Sequence, residues 1–306
     1  LFQNRRGYAP YIQCLHCGTP PKCTCCDVSL TVHMRTRQLV CHYCGQTIPL
    51  PQRCPECGGE LKIHGFGTER LEEEVERLFP TAKVARMDLD TTRKKDAYQE
   101  IIDSFADHKV DILIGTQMVT KGLHFDDVSL VAVLNADHIV NQPDFRSYER
   151  AFHMLEQVSG RAGRTDSQGE VIIQTFDPSH PVYGYVQQHD YNALYDMQIE
   201  ERRAFNYPPF CHLVVLIIRH RDLEKLNTSS VLLHQQLRHI FGERCSGILR
   251  PSVQRVQNVY SNHIRIKIEH NANFACARRL IKEQISYVEI HSSCKGVQVL
   301  LDVDPV

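Results

Sequence analysis

Four Cys-x-x-Cys pairs lie within one short stretch of this 306-residue chain, and they constrain its fold more than any other feature. The pairs are Cys14/Cys17, Cys23/Cys26, Cys41/Cys44 and Cys54/Cys57. Two thiolates separated by two residues in a tight turn can both ligate one tetrahedral zinc ion. Four such turns therefore predict two structural zinc ions, each held by four cysteines.

A disulfide framework is the competing interpretation of these cysteines. It requires an oxidising compartment, whereas the chain opens on no recognisable export signal. Apart from Cys25, the remaining cysteines are scattered at positions 211, 245, 276 and 294, which is not typical of a disulfide framework. We therefore expect zinc ligands rather than disulfides.

The spacing of the four turns only partly decides how they pair. The inner two turns are separated by 14 residues that contain the alternating run 29–33, as in the hairpin of a zinc ribbon. This favours a nested arrangement, although the residues alone also allow a sequential one. In the nested arrangement the inner zinc has the ligands Cys23, Cys26, Cys41 and Cys44, and the other zinc has Cys14, Cys17, Cys54 and Cys57. We expect Cys25 to be unliganded, and His16 and His42 to be surface residues.

Charge is distributed unevenly, although the formal net charge is only -1. Residues 1–62 carry 7 Lys and Arg against 3 Asp and Glu, residues 63–200 carry 13 against 24, and residues 201–306 carry 15 against 9. A basic C-terminal part could contact a polyanion such as nucleic acid. A mixed, solvated surface explains the excess equally well, so charge alone assigns no function.

Length and composition are those of a globular protein of two or three domains, with 42% hydrophobic and 23% charged residues. No apolar run approaches the ~20 residues that a membrane helix needs, which predicts a soluble, intracellular protein with no membrane association. The missing initiator Met, and an opening that resembles the middle of a domain, predict a C-terminal piece of a longer protein.

Between residues 63 and 204, apolar strand-like runs alternate with helix-like segments, which is typical of a parallel sheet covered by helices. The predicted strands are 83–87, 111–116, 130–135 and 170–175. The predicted helices are 68–79, 92–105 and 147–160. Thr68 is the predicted N-cap of the first helix.

The prolines in Tyr207–Phe210 mark a second domain boundary. After it the pattern predicts strand, helix, two strands, helix and strand, which is the βαββαβ order of a ferredoxin-like sandwich. The predicted elements are, in order, 213–218, 223–241, 248–255, 259–269, 274–285 and 297–303.

One loop with glycines and a cation follows a predicted strand. It runs from Gly115 through Thr116 and Gln117 to Lys121 and Gly122. Small residues there let the backbone approach phosphates, and Lys121 supplies positive charge. The loop lacks the G-x-x-x-x-G-K-[ST] pattern of a primary phosphate cradle. An ordinary strand-to-helix turn is an equally good interpretation.

A second loop, from Gln157 to Arg164, places two arginines beside glycines at the end of a predicted helix. If the helix continues, the spacing of three puts Arg161 and Arg164 on one face, ready for bidentate contact with phosphate oxygens. A capped, solvated helix end is the alternative interpretation.

A further set of motifs runs in order along the chain. They are Asn4–Pro10, the four cysteine turns, Gly67–Arg70, Asp90–Thr92, Gly115–Met118 with Lys121–Gly122, Pro143–Arg146, Gln157–Arg164, Pro208–Pro209 and Leu301–Pro305. In this order and at this spacing they resemble the PriA family of bacterial primosomal replication restart helicases. The resemblance covers nearly the whole chain.

The resemblance implies an α/β fold: a RecA-like helicase lobe with an inserted zinc-ribbon module, followed by an α+β C-terminal domain. The implied segments are 1–12 for the first strand of the second helicase lobe, 13–62 for the zinc module, 63–204 for the remainder of the lobe and 205–306 for the C-terminal domain. In that family the zinc sites are nested.

The resemblance also implies a function. It indicates an ATP-dependent superfamily 2 helicase that moves 3′ to 5′ on DNA, recognises abandoned replication forks and helps to reload the replicative helicase. The implied partners are branched or forked DNA, single-strand-binding protein and primosome proteins. The implied location is the bacterial cytoplasm, in association with the nucleoid.

Residue roles are implied in the same way. Residues 115–122 resemble helicase motif V, which couples DNA contact to ATP. Gln157, Arg161 and Arg164 resemble motif VI, directed at the γ-phosphate, and Asp137 resembles a coupling residue.

The chain contains no Walker A Gly-Lys-Thr and no Asp-Glu-x-His box. The lobe that would hold ATP and Mg²⁺ is therefore expected to lie outside it, and the fragment alone is predicted to be inactive. The alternative functions are a non-catalytic zinc-ribbon adaptor for nucleic acids and a thiol-disulfide redox protein.

Overall fold

The chain folds into two units that alternate along the sequence. The first consists of the described residues of Leu1–Pro10 and His64–Met197, and the second of those of Tyr11–Ile63 and Gln198–Val306. The computed structural model describes residues 1–3, 11–34, 36–64, 67–88, 91–92, 96–116, 128–142, 144–163, 169–291 and 294–305. The cysteine-rich stretch thus interrupts the first unit in sequence.

The strands of the described residues fall into three sheets. In chain order they are β1 (Phe2–Gln3), β2 (Tyr11–Cys14), β3 (Thr31–His33), β4 (Gln38–Val40), β5 (Thr47–Pro49), β6 (Leu61–His64), β7 (Val84–Met87), β8 (Ile112–Gly115), β9 (Leu130–Leu134), β10 (Glu170–Ile173), β11 (Cys211–His220), β12 (Arg255–Val256), β13 (Val259–Glu269) and β14 (Gln298–Val303).

The helices of the same residues are mostly amphipathic segments between strands. They are α1 (Thr68–Leu78), α2 (Ala97–Ala106), α3 (Asp137–Val140), α4 (Ser147–Ser159), α5 (Pro181–Gln188), α6 (Tyr191–Ala204), α7 (Leu223–Phe241) and α8 (Phe274–Ile290). Within the described part of the chain, none of them has the length and apolar character needed to cross a bilayer.

A parallel sheet with the order β10–β9–β1–β8–β7 forms the centre of the first unit. Each of its neighbouring pairs is parallel. Phe2 of β1 is buried in a core with Val133 of β9, Leu155 of α4 and Val182 of α5. Each such side chain contributes about 1.5–3 kcal/mol when fully buried. The predicted parallel sheet is confirmed, and its first strand precedes the cysteine-rich stretch.

One predicted N-cap and one predicted helix start in this unit are wrong. Thr68 is not the N-cap of α1; that position is Gly67, and the Thr68 hydroxyl donates instead to the Asp88 carboxylate at 2.6 Å. Helix α2 begins at Ala97 rather than at Thr92. Thr92 is held outside the helix because its hydroxyl donates to the Asp88 carbonyl oxygen at 2.6 Å. Both threonines therefore stabilise the segment after β7 instead of a helix end.

The second unit contains a small antiparallel sheet with the order β5–β4–β3–β2–β6, called here the ribbon. Strands β3 and β4 form the predicted hairpin, with Val32 opposite Leu39. Leu30, Val32 and Leu39 are buried together with cysteines of the inner turns. This core is too small to stabilise a fold of its own by apolar burial, so metal binding is expected to contribute.

The second unit also contains an antiparallel sheet with the order β12–β13–β11–β14, covered by α7 and α8 and called here the terminal domain. All its strand pairs are antiparallel. The predicted βαββαβ order is confirmed. Helix α7 and strand β13 have the predicted bounds, and α8 runs five residues further, to Ile290.

The predicted strand 248–255 is wrong for most of its length. Only Arg255–Val256 forms a strand, and Leu249 makes an isolated bridge to His263. Pro251 lies between these two contacts and cannot donate a ladder hydrogen bond, so the segment leaves the sheet there.

Candidate metal centres and nucleotide-coupling loops

The eight paired cysteines form two clusters in the second unit. Their sulfur atoms all lie within 4.8 Å of one another inside each cluster. The outer cluster is Cys14, Cys17, Cys54 and Cys57, and the inner cluster is Cys23, Cys26, Cys41 and Cys44. This grouping is the nested arrangement that the hairpin spacing favoured, not the sequential one.

The sulfur separations fit tetrahedral zinc. The Sγ atoms of Cys14 and Cys57 are 3.5 Å apart, as are those of Cys23 and Cys44. A tetrahedral ion with Zn–S bonds of about 2.3 Å places its sulfurs about 3.8 Å apart. None of the cysteines forms a disulfide. Four soft thiolates select zinc over hard cations, and a set of four leaves no open position, which is typical of a structural site.

Three of the four cysteine turns are closed in the same way. Gly18, Gly45 and Gly58 each follow a turn with a positive φ, of 70°, 78° and 70°. Their N–H groups donate to the carbonyl oxygen of the first cysteine of the turn at 3.0, 2.8 and 2.8 Å. Glycine adopts this left-handed conformation without steric cost, so it lets both sulfurs of the turn point the same way.

The fourth turn, Cys23–Cys26, lacks this glycine and is followed by Asp27. The Asp27 N–H donates instead to the carbonyl oxygen of Arg255, at 2.9 Å. This turn therefore depends on a contact from the terminal domain that the other three do not use.

Gly59 is a site residue that the spacing of the cysteines did not reveal. A Cβ atom at this position would lie 2.9 Å from Cβ of His16 and 3.0 Å from Sγ of Cys14. Any larger residue would displace the outer cluster. The signal available in the sequence was the Gly58–Gly59 pair directly after Cys57.

Hydrogen bonding lowers the pKa of one thiol in each cluster. Hydrogen bonding to Thr19 lowers the pKa of Cys17 to about 6. In the inner cluster, a backbone hydrogen bond from Gln46 lowers the pKa of Cys44 to about 7. By contrast, burial raises the pKa of Cys23 to about 12. Zinc binding would displace the protons that these thiols carry.

The neighbouring candidates stay outside both clusters. His16 is exposed, as predicted, and Cys25 is half-buried without belonging to a cluster. His42 is also exposed, and its Nε2 lies 3.4 Å from Nε2 of His33. None of the three residues supplies a cluster ligand, as the sequence predicted.

The loop that resembles motif V begins at the carboxyl end of β8. Gly115 is buried, and its N–H donates to the carbonyl oxygen of Leu1 at 2.9 Å. Thr116 follows it at the sheet edge. Gln117, Lys121 and Gly122 lie outside the described residues.

The segment that resembles motif VI leaves helix α4 at Ser159, so the helix does not continue to Arg161, as the predicted shared arginine face requires. Gln157 is exposed on the last turn. The Arg161 N–H donates to the carbonyl oxygen of Val158 at 3.1 Å. Arg164 lies outside the described residues.

A close glycine–glycine contact positions this segment. Gly163 has φ 65°, and its N–H donates to the carbonyl oxygen of Val128 at 3.0 Å. A Cβ atom on Gly169 would lie only 2.3 Å from the Gly163 nitrogen. The residue just before β10 thus packs directly against the backbone close to Arg161. The role of Gly169 was not predicted from the sequence.

Asp137 joins the ends of two neighbouring strands. It opens α3 just after β9. Its carboxylate accepts from the Thr175 hydroxyl at 2.8 Å and from the Phe176 N–H at 3.0 Å, both just after β10. Burial opposes its ionisation, but these hydrogen bonds outweigh burial and hold the pKa of Asp137 below its usual value. Asp137 therefore has a structural role at this sheet edge, in addition to the predicted role in coupling.

Two family models match the chain. Residues 23–49 match the PriA DNA helicase Cys-rich region domain. Residues 63–166 match the helicase conserved C-terminal domain. The first match covers the inner cysteine cluster, and the second covers the part of the parallel-sheet unit that follows the cysteine-rich stretch, as far as the motif VI-like segment.

Curated proteins named "Replication restart protein PriA" are similar over the whole chain. The Bacillus subtilis protein is 38% identical over 100% of this chain and 38% of its own length. The Haemophilus influenzae protein is 36% identical over 100% of this chain and 42% of its own length. The Thermotoga maritima protein is 35% identical over 100% of this chain and 40% of its own length. The chain thus spans about two fifths of the length of these relatives. From the two cysteine clusters, the parallel-sheet unit that they interrupt and these similarities, we conclude that the chain belongs to the PriA family of replication restart proteins.

Proposed function

We propose that this chain is the C-terminal portion of an ATP-dependent 3′-to-5′ DNA helicase of replication restart. The observation that carries the proposal is the pair of nested four-cysteine clusters, placed directly after the first strand of a helicase C-terminal lobe. The four segments 1–12, 13–62, 63–204 and 205–306 divide this portion into lobe, zinc module, lobe and C-terminal domain. The clusters hold two structural zinc ions and shape the ribbon.

In the proposed enzyme, ATP and Mg²⁺ bind mainly to a first lobe that carries the Walker A motif. Arg161 and Arg164 reach the γ-phosphate from this lobe and stabilise the charge that develops in the transition state. Gln157 helps to orient the phosphate or the attacking water. The loop 115–122, with Gly115, Thr116, Gln117, Lys121 and Gly122, contacts the DNA backbone, and Asp137 couples that contact to the nucleotide.

The proposed substrates are branched or forked DNA, with single-strand-binding protein and primosome proteins as partners. The similarity to replication restart proteins supports this choice, as does the excess of basic residues in 201–306. The proposed location is the bacterial cytoplasm, at the nucleoid.

An ATPase and unwinding assay on forked DNA, with the full-length gene product, tests this function. We expect DNA-stimulated ATP hydrolysis and displacement of a strand with 3′-to-5′ polarity. A full-length product that binds DNA without hydrolysing ATP would favour the zinc-ribbon adaptor instead. The absence of a Walker A motif from these 306 residues is the observation that keeps the adaptor as the second candidate.

A further inference from the structure

The β12–β13 hairpin of the terminal domain contacts the one cysteine turn that lacks a closing glycine. Three hydrogen bonds donated by backbone N–H groups join them. The Asp27 N–H donates to the Arg255 carbonyl oxygen at 2.9 Å, and the Asn258 N–H donates to the Cys25 carbonyl oxygen at 2.8 Å. The Gln257 N–H donates to Sγ of Cys26, a member of the inner cluster, at 3.2 Å.

Side chains extend the same contact. The Arg255 guanidinium pairs with the Asp27 carboxylate at 3.0 Å. The Gln257 amide donates to the carbonyl oxygen of Tyr43, inside the other inner turn, at 3.3 Å. Val256 packs against the apolar core that surrounds the inner cluster. The hairpin therefore contacts both halves of the inner cluster.

The shape of the hairpin explains how it reaches a sulfur atom. Gln257 and Asn258 both have positive φ, of 52° and 60°. This is the two-residue turn expected between tightly paired antiparallel strands. It leaves the N–H groups of both turn residues unused by the β12–β13 ladder, and both are directed at the Cys23–Cys26 turn.

A four-thiolate zinc site carries a net charge of about −2, so N–H donors to its sulfurs stabilise it. In the outer cluster, the donors to Cys14 come from its own turn, at His16 and Cys17. In the inner cluster, the Cys25 N–H likewise donates to Sγ of Cys23 from within the turn, at 3.4 Å. The donor to Cys26, however, is supplied by a residue 231 positions away in the sequence. The inner cluster is thus supported by its own turn and also by the terminal domain.

We propose that the β12–β13 hairpin is an integral part of the inner zinc site, so that zinc retention by Cys23, Cys26, Cys41 and Cys44 depends on the docked terminal domain. The outer site has no such dependence. The coupling is reciprocal, since a contact that tightens zinc binding must be tightened by zinc to the same degree. The inference rests on zinc occupancy of the clusters and not on helicase activity.

The test compares two substitutions of Asn258 in the zinc-loaded chain. Asn258→Val places a β-branched residue at φ 60°, a conformation it strongly disfavours, and so displaces both turn amides. Asn258→Gly keeps the conformation and the N–H group and is the matched control. Zinc release to an excess of a colorimetric chelator is followed in time, and the Cys41→Ser variant identifies the phase that belongs to the inner site.

We expect Asn258→Val to release the inner zinc at least 10-fold faster, since loss of groups that support a ligand typically costs about 10–100-fold in metal affinity. Release of the outer zinc and both phases of Asn258→Gly stay at the wild-type rate. Equal inner-phase rates in wild type and Asn258→Val overturn the proposal. If Asn258→Val does not fold, Arg255→Ala replaces it, with Arg244→Ala, which breaks a Glu269 pair elsewhere on the terminal domain, as its control.

The reciprocal effect is read by limited trypsin digestion. Loss of the inner zinc in Cys41→Ser should speed cleavage after Arg255, whereas loss of the outer zinc in Cys57→Ser should not. Equal cleavage rates in the two variants contradict the coupling.

Discussion

Substitution of Gly169 by alanine tests whether this residue positions the motif VI-like segment. An added Cβ would lie 2.3 Å from the Gly163 nitrogen, 2.6 Å from the Ala162 carbonyl carbon and 2.7 Å from the Gly163 Cα. Ordinary non-bonded contacts are about 3.5–4.0 Å, so the backbone beside Arg161 has to move by roughly 1 Å. All three obstructing atoms belong to the backbone, and therefore no side-chain rotation relieves the clash.

Two effects of Gly169→Ala are expected. Overpacking of this kind costs about 1–3 kcal/mol in the free energy of unfolding, which is measured on the chain by urea denaturation followed by circular dichroism. A displacement of about 1 Å in a group that acts on the reacting phosphate costs on the order of 10²-fold in turnover. We therefore expect kcat for ATP hydrolysis by the full-length protein to fall about 10²-fold, with fork affinity within a few-fold of wild type.

Gly184→Ala is the matched control, because a Cβ at Gly184 in α5 meets no atom within 4 Å. It should stabilise the chain by about 0.4–1 kcal/mol, since alanine restricts the unfolded chain and favours helix. If Gly169→Ala has the stability and the kcat of wild type, the contact does not position the arginine segment.

Three further predictions concern the motif VI-like arginines, Asp137 and the isolated chain. Arg161→Ala or Arg164→Ala in the full-length protein should lower ATP hydrolysis by about 10³–10⁵-fold while fork binding changes little; lysine should not rescue either, and near-normal turnover would indicate a solvated helix end. The lowered pKa of Asp137 adds to the free energy of unfolding at pH values above the pKa of an aspartate in the unfolded chain, about 3.9. This contribution is lost as the pH falls through the lower pKa that Asp137 has in the folded state. Asp137→Asn should therefore lower stability at pH 7 and flatten its dependence on pH below about 5 in urea titrations, and an unchanged profile would remove Asp137 from the account. The isolated 306-residue chain should hydrolyse no ATP with or without DNA, and DNA-dependent turnover by a clean preparation would contradict the assignment.

Local signals in the sequence were sufficient to predict the bounds of an element where neighbouring residues determine its ends. Helix α7 has the predicted bounds because Asp222 caps its start, with its carboxylate accepting from the N–H groups of Glu224 and Lys225. The glycine at its end, Gly242, has φ 57°. The alternation in residues 259–269 likewise predicted the full length of β13. In these elements the side chains that set the ends lie within a few residues of the backbone that they serve.

Prediction failed where a side chain is hydrogen-bonded outside the expected helix end, and where a proline lies inside an apolar run. Thr68 was expected to cap a helix and Thr92 to start one, but Asp88 accepts a hydrogen bond from the hydroxyl of each. The strand expected at 248–255 is interrupted at Pro251, which the apolar pattern alone did not indicate. Propensity describes each segment by itself and cannot include such contacts.

The candidate site likewise has features that the sequence predicted and features that it did not. The spacing of the cysteines predicted two four-cysteine groups, and the hairpin between the inner turns favoured the nested grouping that the structure has. The contact between Gln257 and Cys26, and that between Gly169 and Gly163, could not be predicted, because each depends on how segments distant in sequence pack together. The proposed roles of Gln157, Arg161 and Arg164 are tested by substitution in the full-length protein.

The metal content of a chain without its outer cysteines tests the nested architecture most directly. Simultaneous replacement of Cys14, Cys17, Cys54 and Cys57 by serine leaves the inner cluster complete, so we predict that wild type binds two zinc ions and this variant retains one. In a sequential arrangement the same four changes would leave two half-sites and no tightly held zinc. Elemental analysis of both proteins after dialysis against a weak chelator gives the answer: two and one support the account, whereas fewer than two in wild type or none in the variant contradicts it.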